Sequence, residues 1–232
     1  MDLFLQGIVQ AFQLLLSADP ELLEITALSL VVSGAATAVS LAIGLPLGTW
    51  LALVPLRGRG VTMSFVNTGM ALPPVVVGLF VAIMLWRSGP LGGLRLMYTP
   101  AAMVIAEVII ATPVIVGLTV AALRQLDPRL QLQLLGLGAS RCQTTWWLWR
   151  EARLPLLAAV MAGFGSVISE VGAAMMVGGN IRGETRVLTT SIVLETSRGR
   201  FEMAIALGII LLVLAFIVNA VLTRAQHRDP HR

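Results

Sequence analysis

Few residues in this chain could do chemistry. Two carboxylates, Glu107 and Glu170, lie inside long apolar runs. A carboxylate at membrane depth is costly and faces a bundle interior or a cavity, so each either serves a path through the bundle or holds a structural hydrogen bond. They are not placed as paired acids for hydrolysis. The two histidines, His227 and His231, sit in the polar tail and form no metal site. The single Cys142 has no intrachain disulfide partner. All sixteen basic residues are Arg. A Walker-type phosphate loop requires Lys after its glycines, so none is present, and Lys-based covalent chemistry is excluded with it. If ATP drives this protein, another chain binds it.

The elements that hold these residues are membrane spans. Of 232 residues, 57% are hydrophobic and 12% charged, with a mean hydropathy of +0.89. Soluble domains carry about 25% charged residues. The chain is therefore read as an all-α polytopic membrane protein with about five transmembrane helices. Residues 1–23 precede them. The run Leu3–Leu16 is short for a span, ends at Asp19-Pro20, and lacks the positive start of a secretory signal. It is read as a helix lying at the membrane surface, with a partial extra span as the rival.

The transmembrane body is expected over residues 24–223. The first span covers Ile25–Val54, with Ser29, Ser33, Thr37 and Ser40 on one face. Gly44 and Gly48 permit close helix approach, and Pro46 is expected to kink the helix. The second covers Val61–Trp86 and contains Pro73-Pro74, which remove two backbone donors; such a break either lines a path or serves packing. Asn67 fits either role. The third, Pro100–Leu123, holds Glu107. The fourth, Pro155–Val177, holds Glu170 and is followed by a turn containing Asn180. Val187–Glu195 reads as a short surface helix. The fifth covers Ala204–Thr223, and residues 224–232 form a polar tail expected to be disordered.

Residues 124–154 differ from the spans around them. They contain Arg141, Arg150 and Arg153, three tryptophans, and glycines at 136 and 138. Arginine and tryptophan together mark a membrane–water boundary. Such an elbow is either a surface for a cytosolic partner or an ordinary loop. Five spans place the termini on opposite sides. With the acidic N-terminus outside, ten arginines fall on the cytoplasmic side and six outside, which favours that orientation. Arg182, Arg186, Arg198 and Arg200 cluster on the outer side, where they suit docking or attraction of an anion.

The elbow, at Leu137-Gly138-Ala139-Ser140 and then Leu154-Pro155, resembles the coupling loop of ABC-importer permeases. Leu72-Pro73-Pro74-Val75-Val76-Val77-Gly78-Leu79 is similar to a span motif of the molybdate type. Ser169-Glu170-Val171-Gly172-Ala173 resembles the stretch after the coupling loop in that group. The run from Val177 through Asn180 to Thr190, then Ile192 to Ser197, is similar to the tungstate branch. The resemblance implies a permease subunit in a bacterial or archaeal cytoplasmic membrane, and the arginine distribution above puts its C-terminus on the cytoplasmic side. It implies a second copy of this chain and a cytosolic ABC ATPase dimer that holds ATP and Mg. It also implies an external oxyanion-binding protein. Lipid surrounds the spans, and no nucleic acid is involved. Leu137, Gly138, Ala139, Ser140 and Pro155 would form the ATPase-coupling loop. Pro73, Pro74, Glu107, Glu170, Gly172 and Asn180 would belong to the gate or path. Molybdate and sulfate are the alternative cargoes. An intramembrane enzyme lacks a nucleophile–base pair here, and a non-catalytic scaffold would have no reason to stimulate ATP hydrolysis.

Overall fold

A computed structural model describes residues 2–17, 19–55 and 57–227. The described residues are helical almost throughout. Helix α1 (Asp2–Leu16) precedes α2 (Pro20–Leu53), α3 (Arg59–Met70), α4 (Pro74–Leu85) and α5 (Pro100–Arg124). Next come α6 (Pro128–Gly136), α7 (Arg141–Glu151), α8 (Arg153–Ile168), α9 (Gly172–Gly178), α10 (Leu188–Ser197) and α11 (Phe201–His227). Three of these, α2, α5 and α11, are each long and apolar enough to cross a membrane, and the count reaches up to five if the bent pairs α3–α4 and α7–α8 are each taken as one span.

The centre of the fold is α2 packed along α5. Asp19 starts α2 by accepting hydrogen bonds from the Glu21 and Leu22 amides at 2.9 and 3.1 Å, and Pro20 occupies the first turn, where its missing donor is harmless. The small residues then set the approach. A Cβ on Gly44 would lie 2.7 Å from Ile115 Cγ2, and one on Gly48 would lie 2.7 Å from Thr119 Cβ. Ser29, Ser33, Thr37 and Ser40 are all buried, as their shared face requires. Ser29 and Thr37 donate to the carbonyls of Ile25 and Ser33, both at 2.7 Å, and Ser40 donates across to Val108 O on α5 at 3.4 Å. The helix runs through Pro46 without interruption. At its end Arg59 donates to the carbonyls of Leu51 and Ala52 at 2.6 and 3.0 Å, closing acceptors that the helix leaves open.

The second span is two helices. The 92° bend between α3 and α4 falls at Leu72-Pro73. Two consecutive residues without N–H groups cannot continue α3, and Pro74 begins α4 instead.

The fourth span departs from its expected form. Rather than a continuous helix over Pro155–Val177, α8 starts at Arg153 and stops at Ile168, and α9 begins at Gly172. Pro155 falls in the first turn of α8, where no intrahelical donor is needed. The break is stabilised by side chains. Ser169 donates to Gly165 O at 2.8 Å, and Glu170 reaches forward to accept from the Ala173 amide at 3.0 Å. The tail also differs from its expected form. The helix of the last span continues to His227, so residues 224–227 extend α11. Residues 228–232, including His231, lie outside the described residues.

Helix α1, of 15 residues, is shorter than the roughly 20 that a span requires. It lies against α11, where a Cβ on Gly7 would come within 2.5 Å of Ile205 Cγ2. Leu5, Val9, Phe12 and Leu16 form an exposed apolar stripe on its outer side.

Candidate functional site

Both broken spans restart side by side. Helices α4 and α9 run in the same direction in direct contact. A Cβ on Gly172 would lie 2.5 Å from Val75 Cγ2, and one on Gly78 would lie 2.7 Å from the Ala173 Cα. Pro73, Pro74 and Gly172 thus meet at one level, and both helices present their N-terminal ends there. Discontinuous helices of this kind are tolerated within a membrane only where protein or a water-lined cavity covers the freed backbone.

Glu170 secures this junction. Its side chain caps Ala173, and its backbone carbonyl accepts from Thr189 Oγ1 at 2.8 Å. Glu107, on α5, is 3% exposed and its Oε2 has no hydrogen-bond partner among the described residues. The two glutamates border the same small cavity of about 10 Å³, together with Ser29, Ser33 and Thr189. That volume is about what a single water needs, and five of the residues around it can hydrogen-bond. Ser29 ties the region to α10 by accepting from the Leu188 amide at 2.9 Å. Of these residues, Ser29 was visible in the sequence only as part of a polar stripe. Thr189 carried no signal, because its partner is remote in the chain.

Asn180 lies apart from this junction, in the turn that closes α9. It takes a left-handed conformation with φ 53°. Its amide donates to Thr190 O at 3.3 Å, and its Oδ1 accepts from Arg186 Nε at 3.3 Å. Tyr98 braces the same turn: its amide donates to Val177 O at 2.9 Å. The buried Thr185, which the sequence did not single out, donates to Gly178 O and accepts from the Ile181 amide.

At the far end is the elbow. Helix α6 buries no residue, and Leu132, Leu135 and Leu137 are exposed. Gly138 has φ 87°, the left-handed region. Its amide donates to Leu135 O and that of Ala139 to Leu134 O, both at 3.0 Å, which is a Schellman ending. Ser140 then opens α7 in a capping box with Gln143. Pro155 stands beyond α7, in the first turn of α8. Trp149 Nε1 donates to Thr49 Oγ1 at 2.8 Å, so α7 is pinned to the end of α2. Trp149→Phe is expected to loosen that attachment and lower stability by about 1 kcal/mol, the worth of one such bond; thermal unfolding in detergent checks this.

The helical bundle, with its broken spans and exposed, tightly turned elbow, has a fold seen in a solved structure. It matches the MetNI methionine ABC transporter in an inward-facing conformation with a TM-score of 0.72 at 17% identity, covering 88% of this chain and 94% of that one. Residues 44–228 match the family of binding-protein-dependent transport system inner membrane components, and the chain belongs to it. Among its relatives is the tungstate uptake system permease protein TupB of Peptoclostridium acidaminophilum, 41% identical over 97% of this chain and 99% of that protein. Another is a probable anion ABC transporter permease protein of Haloferax volcanii, 42% identical over 91% of this chain and 93% of that one.

Proposed function

We propose that this chain is the permease subunit of an ATP-driven importer that carries tungstate across the cytoplasmic membrane. The similarity to a tungstate uptake permease along nearly its whole length carries this reading. Two copies of the chain would enclose the path. An external binding protein would deliver the oxyanion, and a separate ATPase pair, holding ATP and Mg, would supply the force. A chain without lysine has no Walker loop of its own, so force must enter through a surface. The exposed leucines of α6 and the rigid turn at Leu137, Gly138, Ala139 and Ser140 suit that task. Closure of the ATPases would draw the two elbows together and rock the spans between inward- and outward-open states.

The path is poorly suited to tight binding. If ionised in the path, Glu107 and Glu170 would repel a dianion, and a transported ion must leave as readily as it enters. Selectivity therefore belongs to the binding protein, and the glutamates to the gate. Glu170→Gln keeps an oxygen for the Ala173 amide and is expected to leave the fold intact while changing uptake and its coupling to hydrolysis. Glu170→Ala also loses the cap, at a cost of about 1 kcal/mol. Unaltered uptake and hydrolysis in both variants would remove Glu170 from the mechanism.

The arginine distribution supports an orientation with the N-terminus outside and the elbow cytoplasmic. A cysteine placed at Glu184, in a Cys142→Ser background, should react with an impermeant maleimide added to intact cells. The native Cys142, exposed on α7, should react only after the membrane is opened. The reverse pattern would invert the topology. The function itself is tested by reconstituting the chain with its ATPase and binding protein in liposomes. Tungstate-loaded binding protein should stimulate hydrolysis and drive tungstate inward; hydrolysis indifferent to the chain would leave only a scaffold.

A further inference from the structure

The cavity of about 10 Å³ shared by Glu107 and Glu170 is walled by α2, α5, the α8–α9 break and α10. We propose that it holds a dehydrated sodium ion, which ties these elements together at the junction. Glu107 creates the need for a charge. It is 3% exposed, it borders the cavity, and its Oε2 has no hydrogen-bond partner among the described residues. No arginine lines the cavity with it. A buried carboxylate is costly unless it is paired or coordinates a metal. Glu170 differs, because its Oε1 already accepts from the Ala173 amide at 3.0 Å. One carboxylate is left without compensation, and one positive charge answers it.

The rest of the lining consists of acceptors. Ser29 and Thr189 spend their hydroxyl protons on the carbonyls of Ile25 and Glu170, at 2.7 and 2.8 Å. What they have left to offer the cavity is oxygen lone pairs. Ser33 adds a third hydroxyl oxygen. The last turn of α8 borders the cavity at Val167 and Ile168, and a helix C-terminus is the negative end of its dipole. Such half-helix ends at broken spans are suited to sodium. A water has too few protons for all these acceptors and leaves the charge of Glu107 in place. A proton on Oε2 would have no acceptor within reach.

The size and donor set select the ion. Every donor is an oxygen, and no three His, Cys, Asp or Glu gather to hold a metal among the described residues, which disfavours a transition metal. Magnesium keeps several of its waters, and calcium takes roughly six to eight oxygens. A cavity of one water's volume accommodates neither shell, whereas a bare sodium ion is smaller than a water molecule.

The test is thermal unfolding of the purified full-length chain in detergent, with sodium chloride replacing choline chloride at constant ionic strength. Sodium should raise the midpoint saturably, by about 3–6 °C at roughly ten times its dissociation constant. Potassium, which is larger, should act only at severalfold higher concentration. Radioactive sodium should bind at one equivalent per chain. Glu107→Gln keeps the volume and removes the charge, so it should fold without sodium and lose both the shift and the binding. Ser33→Ala gives up one oxygen and should raise the sodium concentration required severalfold. Identical midpoints in sodium and choline would overturn the proposal, as would a full sodium response in Glu107→Gln. Stabilisation by acid alone would assign the cavity to a proton on Glu107, and stabilisation by micromolar calcium would assign it to a divalent ion; either result overturns the sodium site. If Glu107→Gln fails to fold, Ser33→Ala and the ion series on the wild type still decide.

Discussion

Replacing Gly138 with valine should abolish most coupled transport while leaving the membrane bundle folded. Gly138 has φ 87°, and nothing lies within 4 Å of the place its Cβ would occupy. The penalty is therefore in the backbone alone. A left-handed conformation costs an ordinary L-residue roughly 1–2 kcal/mol, and a β-branched one is the least able to adopt it. The turn relieves that strain by giving up the two bonds that end α6, from the Gly138 amide to Leu135 and from the Ala139 amide to Leu134. Ser140 would then lose its place at the start of α7. An elbow that transmits force must hold α6 in a fixed direction, and this change releases it. Stimulated hydrolysis and uptake should fall by at least about tenfold, the kinetic equivalent of roughly 1.4 kcal/mol. Gly138→Asn is the control, because asparagine tolerates the left-handed region. It should retain most activity, and equal activity in the valine variant would refute the elbow's role.

A second substitution should act on the fold itself. In Gly78→Val the new Cβ would lie 2.7 Å from the Ala173 Cα and 3.0 Å from Met176 Cβ. The first of these is a backbone atom, so no side-chain rotation relieves the clash. Helices α4 and α9 must separate, opening the contact that holds both half-helices at one level. Overpacking of this kind costs typically 1–3 kcal/mol, and more where backbone must move. Loss of a monodisperse peak in detergent, or a clear drop in unfolding temperature, is the expected result. Gly165→Ala, in α8, provides the contrast. Nothing lies within 4 Å of that Cβ, so the change should be neutral or slightly stabilising through helix propensity. Similar stability for Gly78→Val and the wild type would mean that α4 and α9 do not pack as described.

The features legible in the sequence are those whose signals are local. The serine and threonine face of α2, the close approach at Gly44 and Gly48, the break at Pro73-Pro74 and the turn at Gly138 each follow from residue types within a few positions. The break at Glu170 was not legible. No proline marks it, and Ser169 to Gly172 lie in an otherwise apolar run that reads as continuous span. What stops the helix is a glutamate reaching forward to an amide, with Thr189 anchoring its carbonyl from 19 residues away. The link from Ser29 to the Leu188 amide spans 159 residues and has no sequence signature. Asn180 was placed with the gate on resemblance; its side chain braces the turn after α9. The arginine cluster stood out by charge, but its pairing around Glu21 and Glu195 depended on α2 and α10 meeting in space.

The most direct measurement is the metal content of cells with and without this chain, by mass spectrometry, after growth on trace tungstate and molybdate with excess sulfate. Cellular tungsten should fall sharply without the chain, while molybdenum and sulfur hold steady, and a plasmid copy should restore it. An equal loss of molybdenum would make the protein a broader oxyanion importer. Unchanged tungsten would contradict the proposed cargo.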